Sequence, residues 1–229
     1  AATDCAFKAS RPNETGISGI SVELCEGGDP SCTSGRVAEA VTDSRGSVDF
    51  AAPKGFNGYL QLQGPEARMA PVPAVVQWSQ PVYNVVESFE HQALLPGAVG
   101  ALAVTVELHK AIDEPFKPGT GHLILRAQNC FPLRYLEVDD LRAQASNVKF
   151  EFSPSAGASP VYYVNDMTVL ARDLDRTSSR AYAGAFEVRA TNVTVTARHG
   201  DTDKLLATGT VTVREGWIGY LYLVPDTTR

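Results

Sequence analysis

Four cysteines are the residues of this 229-residue chain whose number and spacing indicate chemistry most directly. An even count permits disulfide bonds, and four cysteines can pair in three ways. Cys25 and Cys32 bracket six residues rich in turn formers, so they can meet locally, and Cys5 and Cys130 are then left for each other. The alternative is four reduced thiols in a cytosolic protein. We favour disulfides, which predict a protein secreted into an oxidising compartment.

No local device for catalysis is visible in the sequence. The four histidines are scattered, and no Gly-x-Ser-x-Gly nucleophile elbow occurs. Both glycine-rich phosphate-binding motifs are absent, and the cysteines and histidines lack the spacing of zinc ligands. We therefore predict a protein that is not an enzyme, with no catalytic residues, no metal site and no cofactor.

Acidic pairs in predicted loops are the alternative source of metal ligands. The pairs are Asp139 with Asp140, Asp173 with Asp175, and Asp201 with Asp203. Carboxylate oxygens suit Ca²⁺, but the spacing of an EF-hand loop is missing. We interpret these residues as solvated loop acids, with structural Ca²⁺ as the lesser alternative.

Aromatic residues provide the remaining candidates for binding. Trp78, Trp217 and Tyr220 could form a platform for a sugar or a protein partner, and Trp217 follows a predicted turn at Glu215 and Gly216. The alternative interpretation places these rings in the core or in pairs between strands.

The composition excludes several classes of partner. A net charge of -6 argues against a nucleic-acid groove or an anionic membrane surface, which both need an excess of Lys and Arg. The longest uncharged stretches, 70–86 and 92–106, are too short or too rich in proline to span a membrane. The chain starts with small residues and no basic region, as expected of a mature chain after cleavage of a signal peptide.

Alternation of apolar and polar residues with period two dominates the chain and predicts β-strands. Ile20, Val22 and Leu24 give one such strand. A strand over 37–42 is followed by a turn and a second strand carrying Val48 and Phe50. The turn motif consists of Thr42, Asp43 and Gly46, in which Asp43 can bond the turn backbone and Gly46 supplies a positive φ.

The second half of the chain repeats this pattern, with strand-type residues at intervals of 8–12 and turn signals between them. Helical spacing occurs over 94–109, just before a segment rich in Pro and Gly. The prediction is an all-β fold of two Ig-like or prealbumin-like antiparallel β-sandwich domains. One domain covers residues 1–90 and the other 121–229, joined by a connector over 91–120 with a short helix or an irregular structure.

The residues from Ile17 to Phe50, which include Thr42, Asp43 and Gly46, resemble the carboxypeptidase regulatory-like family of prealbumin-like (transthyretin-like) β-sandwiches. The stretch 55–65 looks like the variant found in surface proteins of Gram-negative bacteria. The second half looks like a diverged copy, with Tyr182 to Gly184 in place of the family's turn. This resemblance implies an accessory or structural module without an active site.

Together these features predict a secreted or cell-surface structural protein of a bacterium. One form of this hypothesis is a filament subunit that binds other copies of itself, or other surface proteins, by strand addition at a sandwich edge. The segments 1–11 and 71–83 are the candidate donors. The alternative is an adhesion module that binds carbohydrate or another ligand through its exposed aromatic residues.

Overall fold

The computed structural model of the chain describes residues 17–53, 55–65, 72–79, 116–128, 145–153, 161–167, 169–171 and 173–224. These residues form twelve β-strands and contain no helix, which confirms the predicted all-β class. The helix predicted over 94–109 lies outside the described residues, and the division into two domains stays a prediction.

The strands follow one another along the chain with bounds close to those of the alternating segments. They are β1 (Ser21–Glu26), β2 (Arg36–Val41), β3 (Gly58–Gln63), β4 (Ala74–Trp78), β5 (Thr120–Ala127), β6 (Val148–Ser153), β7 (Tyr162–Val164), β8 (Leu170–Ala171), β9 (Tyr182–Arg189), β10 (Asn192–His199), β11 (Leu205–Thr212) and β12 (Ile218–Leu223).

Two sheets contain all twelve strands. The larger has nine strands in the order β2-β1-β3-β4-β12-β5-β9-β7-β8, and the smaller has three in the order β11-β10-β6. The last strand, β12, lies between β4 of the first half and β5 of the second. One continuous sheet therefore includes strands from both halves of the chain.

The pairing of β12 differs from the antiparallel arrangement that the sequence predicts. Ile218 to Tyr222 pair in parallel with Ala74 to Trp78 on one side, and Ile218 to Leu223 pair in parallel with His122 to Ala127 on the other. Parallel neighbours require a crossover rather than a tight turn. The chain satisfies this requirement because many residues, including whole strands, separate β12 from both of its neighbours.

The two faces of β12 belong to two different cores. Leu221 and Leu223 pack in the sandwich core, which lies between the two sheets and includes Leu123, Val195 and Val211. The alternating residues Ile218, Tyr220 and Tyr222 pack in a second core with Val22, Leu60 and Val76. All six residues of β12 are buried, as expected for a strand that is covered on both faces.

Three segments differ from their sequence-based predictions. Residues 47–50 form no strand after the turn at Gly46, although Val48 and Phe50 still pack against the second core. Tyr182 to Gly184 start strand β9 and do not replace a turn. Within 71–83, the predicted donor segment, β4 is an internal strand paired with β3 and β12. The prediction that this segment is a free donor is therefore wrong for residues 74–78, because both of their edges are occupied.

Candidate functional site: the disulfide loop and the sheet edges

The structure contains the local disulfide between Cys25 and Cys32, with a Cα–Cα distance of 5.4 Å. The bond closes the loop that leaves β1 and returns into β2. Both cysteines are buried in a cluster with Tyr59 and Val75, and Trp217 packs against it. We call these five residues the disulfide cluster. Cys5 and Cys130, the other predicted pair, lie outside the described residues.

A single carboxylate holds the loop in shape. Asp29 Oδ1 accepts hydrogen bonds from the backbone N–H and the hydroxyl of Ser31, at 3.0 and 2.7 Å. Asp29 Oδ2 accepts from the backbone N–H of Ser34 at 2.7 Å and of Gly35 at 2.8 Å. These bonds, that from the Ser31 hydroxyl first, hold the pKa of the Asp29 carboxyl well below its usual range.

Arg214, which follows β11, ties this loop to the second half of the chain. Its guanidinium donates to the carbonyl oxygen of Pro30, to Gln61 Oε1 and, at 3.0 Å, to the hydroxyl of Tyr59. The Tyr59 hydroxyl in turn donates to the carbonyl oxygen of Asp29 at 2.6 Å. Charge-assisted hydrogen bonds from a distant residue therefore hold this loop against the second half of the chain.

The three predicted binding aromatics do not converge on one platform. Trp217 is half-buried in the disulfide cluster, and the guanidinium of Arg214 lies 4.9 Å from its ring centroid. Tyr220 is only 8% exposed and packs in the second core, where burial raises the pKa of its hydroxyl. Trp78 pairs with Tyr222 through its backbone in β4, and its side chain is not among the described groups.

The turn motif forms as the sequence predicts. Asp43 Oδ1 accepts hydrogen bonds from the backbone N–H of Arg45 at 2.8 Å and of Ser47 at 2.9 Å, and these bonds lower the pKa of the carboxyl. Gly46 adopts a φ of 74°. The Thr42 hydroxyl donates to the carbonyl oxygen of Ile17 and accepts from the N–H of Ile20. The motif therefore fixes the start of β1 as well as the end of β2.

Three of the loop acids considered as Ca²⁺ ligands, Asp175, Asp201 and Asp203, pair with cations of the protein itself. Arg176 pairs with Asp175 at 2.8 Å and with Asp201 at 2.5 Å, and its hydrogen bonds lower the pKa of Asp175 to about 2. Asp203 lies 3.9 Å from Arg198. Asp173 is exposed, and the pair Asp139 and Asp140 lies outside the described residues.

One further group of potential ligand atoms lies at the disulfide. A carboxylate oxygen of Glu23 lies within 4.8 Å of the sulfurs of Cys25 and Cys32. Cysteine binds a metal ion as a thiolate, and these two sulfurs are bonded to each other in a disulfide. Glu23 also accepts hydrogen bonds from Arg36 and Gln61. We therefore assign Glu23, Cys25 and Cys32 a role in stabilising the loop and not in binding a metal ion.

A buried histidine fixes an irregularity between β5 and β9. His122 lies between the rings of Phe116 and Phe186, at centroid distances of 4.6 and 5.1 Å. Its Nδ1 atom accepts a hydrogen bond from the backbone N–H of Glu187, which has a φ of 53°. The pairing register shifts here. Nothing in the sequence indicates this contact of His122.

The ends of the two sheets are β2, β8, β6 and β11, and they differ in how their outer backbone groups are satisfied. Beside β6, the backbone N–H of Val148 donates to Thr177 Oγ1 at 2.9 Å, and the N–H of Phe150 donates to the Tyr163 hydroxyl at 3.0 Å. Two hydroxyls therefore occupy two of the outward donors that a new strand would use at this edge.

The edge strand β2 is irregular, and the edge strand β8 is short. The register between β1 and β2 shifts after Leu24, which leaves Val37 as an extra residue on β2, and charged Arg36 and Glu39 lie on either side of it. A bulge and charges are common devices that protect an edge from unwanted pairing. Strand β8 has only two residues.

Strand β11 has the most open edge. The backbone N–H of Val213 donates to Thr191, so the ladder with β10 uses odd-numbered residues of β11. The N–H and C=O groups of Thr208 and Thr210 therefore point away from β10, and no described residue bonds them. The strand has eight residues and contains neither a charge nor a proline. Its only irregularity, at Leu206, lies next to its first residue.

No protein-family model and no curated protein matches the chain. The family resemblance therefore stays a prediction. Among solved structures, GBS52, the minor pilin of the Gram-positive pathogen Streptococcus agalactiae, is 13% identical with a TM-score of 0.28, and the match covers 96% of this chain and 89% of that one.

A mutant of the shaft pilin SpaA from Lactobacillus rhamnosus GG is 10% identical with a TM-score of 0.26, and the match covers 93% of this chain and 90% of that one. Both TM-scores are below 0.5, so neither likeness carries an argument about this protein. Among the described residues, no helix is long and apolar enough to cross a membrane.

Proposed function

We propose that this chain is a non-enzymatic structural subunit of an extracellular or cell-surface assembly, in which subunits join by β-strand addition. The observation that carries the proposal is the edge of β11. Eight residues without charge or proline present backbone groups of Thr208 and Thr210 that no described residue bonds, whereas β6 is partly capped, β2 is bulged and β8 is short. An edge of this kind accepts an extended segment through main-chain hydrogen bonds.

The disulfide supports the proposed location outside the cell. A buried bond between Cys25 and Cys32 persists in oxidising compartments and is rare in the cytosol. Intact-mass analysis of the protein, secreted by its host and alkylated without a reductant, is expected to show no labelled cysteine. Labelling of Cys25 and Cys32 in that sample would argue against an oxidising compartment.

The assembly itself is tested by electron microscopy of the purified protein over a range of concentrations, with sedimentation velocity on the same samples. We expect species larger than a monomer that increase with concentration and form linear assemblies. A protein that stays monomeric at the highest concentration in both measurements would refute the proposal.

A carbohydrate-binding role would depend on Trp217, which is the one predicted aromatic with a partly accessible ring among the described side chains. This ring already contacts Arg214 and packs on the disulfide cluster. We therefore place assembly first. Binding to a glycan array that is lost in Trp217→Ala would instead favour the carbohydrate-binding role.

A further inference from the structure

The disulfide loop, residues 27–35 between β1 and β2, is bound to the second half of the chain by the guanidinium of Arg214. Two neighbouring carbonyl oxygens of the loop form this contact. Arg214 donates to the oxygen of Pro30, and the Tyr59 hydroxyl, which accepts from Arg214 at 3.0 Å, donates to the oxygen of Asp29 at 2.6 Å. The contact therefore requires the main chain at these two loop residues to be held in one position.

The bond between Cys25 and Cys32 helps to hold the main chain in this position. The backbone N–H of Cys32 donates to the carbonyl oxygen of Asp29 at 3.2 Å, so the carbonyl that Tyr59 contacts belongs to the turn that ends at Cys32. Cys32 has a φ of 58°, in the left-handed region that a residue with a side chain rarely adopts. Such a conformation persists where the surrounding structure imposes it. Cleavage of the bond frees Cys32 to return to an ordinary φ, and the turn then moves away from Tyr59.

The same contact also covers the bond. Cys25 is fully buried and Cys32 is 6% exposed, within the disulfide cluster that includes the rings of Tyr59 and Trp217. The guanidinium of Arg214 lies 5.6 Å from the centroid of the Tyr59 ring and 4.9 Å from that of the Trp217 ring. A reductant must reach a sulfur atom to attack it, so the loop has to leave these groups before the bond can break. Breaking the bond and releasing Arg214 are therefore coupled.

We propose that the Cys25–Cys32 bond is a redox-sensitive latch, which holds the disulfide loop on Arg214 when it is oxidised and releases the loop when it is reduced. In the reduction, the thiolate of a small-molecule thiol attacks the sulfur of Cys32, and Cys25 leaves as a thiolate that takes up a proton. A second molecule of that thiol attacks the mixed disulfide, displaces the thiolate of Cys32 and leaves as the oxidised reductant, which has supplied both electrons. This inference goes beyond the proposed function and holds whether or not subunits assemble.

The latch is tested by the oxidation equilibrium of the two cysteines in mixtures of reduced and oxidised glutathione. If oxidation strengthens the contact with Arg214, then by linkage Arg214 favours the oxidised state by the same factor. Alkylation followed by peptide mass spectrometry measures the oxidised fraction of Cys25 and Cys32 separately from the other cysteines. We expect Arg214→Gln to lower the equilibrium constant for oxidation by about fivefold or more, the usual size of a coupling between two sites.

The matched control is Arg198→Gln, which removes a partly buried guanidinium from an ion pair with Glu151 and leaves the disulfide loop unchanged. It should keep the equilibrium constant of the wild type. Circular dichroism verifies that each variant is folded. If Arg214→Gln does not fold, Arg214→Lys replaces it, because lysine keeps the charge but lacks the planar fork that contacts Pro30 and Tyr59 together. Equal constants for the wild type and the Arg214 variant, or an equal decrease in the control, would overturn the proposal.

A double-mutant cycle tests the same coupling without a reductant. Urea denaturation compares the effect of Arg214→Gln in the wild type with its effect in the variant Cys25→Ser/Cys32→Ser. We expect a smaller decrease of stability in the serine variant, because the released loop no longer presents Pro30 to Arg214. An equal decrease in both would contradict the latch. A serine variant that does not fold would also overturn it, because the bond would then support the whole fold and not the position of one loop.

Discussion

At the scale of single residues, Asp29 fixes the shape of the disulfide loop. Its two carboxylate oxygens bond the backbone of three residues between Ser31 and Gly35, and the main chain of the loop then presents Pro30 to Arg214. The loop thus depends on a negative charge at one position. Its stability is therefore linked to pH.

We expect the thermal stability of the wild-type protein to decrease more steeply at acidic pH than that of Asp29→Asn. The pKa of Asp29 is lower in the folded state than in the unfolded chain, where it is about 3.9. Its contribution is complete above the unfolded value and is lost as the pH falls toward the folded value. Melting curves between pH 7 and pH 2 measure the difference.

The control for this prediction is Asp49→Asn, because Asp49 is exposed and bonds no described residue. The thermal stability of Asp49→Asn should decrease with falling pH as steeply as that of the wild type. Equal slopes for the wild type and Asp29→Asn would show that the hydrogen bonds of the loop do not distinguish the two ionisation states of Asp29.

The contacts that Arg214 makes with Tyr59 and the disulfide loop could not be predicted from the sequence. Tyr59 and Arg214 are 155 positions apart, and no local pattern marks them as partners. The Cys25–Cys32 bond and the Asp43 turn were predictable because each depends on a few consecutive residues. Whether Trp78, Trp217 and Tyr220 form one binding platform depends on which face of the sheet each ring occupies. The pairing of the whole sheet decides this, so a local sequence pattern could not predict it.

At the scale of elements, the close approach of β5 to the turn between β11 and β12 depends on a glycine. A Cβ atom added at Gly121 would lie 2.3 Å from the carbonyl oxygen of Arg214 and 2.8 Å from that of Trp217. Both neighbours are backbone atoms, which cannot rotate away. The turn that carries Arg214 and Trp217 can therefore sit on β5 only while position 121 lacks a side chain.

Gly121→Ala is expected to lower the free energy of unfolding by about 1–3 kcal/mol, because the backbone must shift to relieve the overlap. Urea denaturation followed by circular dichroism measures this change. The matched control is Gly28→Ala, where an added Cβ atom meets no atom within 4 Å and the φ angle is ordinary. An equal decrease in the free energy of unfolding of both variants would show that the close approach at Gly121 does not cause the destabilisation.

Most strands could be predicted from the alternation of apolar and polar residues, and the exceptions have a physical reason. Strands β1, β6, β10 and β12 lie where apolar and polar residues alternate or where apolar runs end in turns. Strand β4 was mistaken for a free extended segment because it follows Pro71 and Pro73. A strand that is paired on both sides and covered on both faces shows no alternation, so β4 lacked this signal.

At the scale of the whole molecule, β12 joins the packing of the two halves. Leu221 contributes to the sandwich core, and its neighbours Tyr220 and Tyr222 contribute to the second core. Burial raises the pKa of Tyr222 to about 12. A change in β12 should therefore affect both cores together.

Leu221→Ala is expected to lower the free energy of unfolding by about 2–5 kcal/mol, as is usual for deletion of a buried leucine side chain. Because both cores share β12, far-UV circular dichroism and tryptophan fluorescence should report one common transition in urea. Val41→Ala, at a position that is 60% exposed, should have an effect of less than about 0.5 kcal/mol. Two separate transitions in the wild type would contradict the coupling.

The position of β12 between β4 and β5 also affects the order in which the chain can fold. Strand β12 is made last among the twelve, yet it fills a place in the middle of the large sheet. Until it leaves the ribosome, β4 and β5 each have an unpaired edge, and the native sheet cannot close. We therefore expect closure of the native sheet to be slow, because the decisive contacts join residues that are distant along the chain. Under the location proposed above, this order would let the chain be exported while the sheet is still open and close it afterwards.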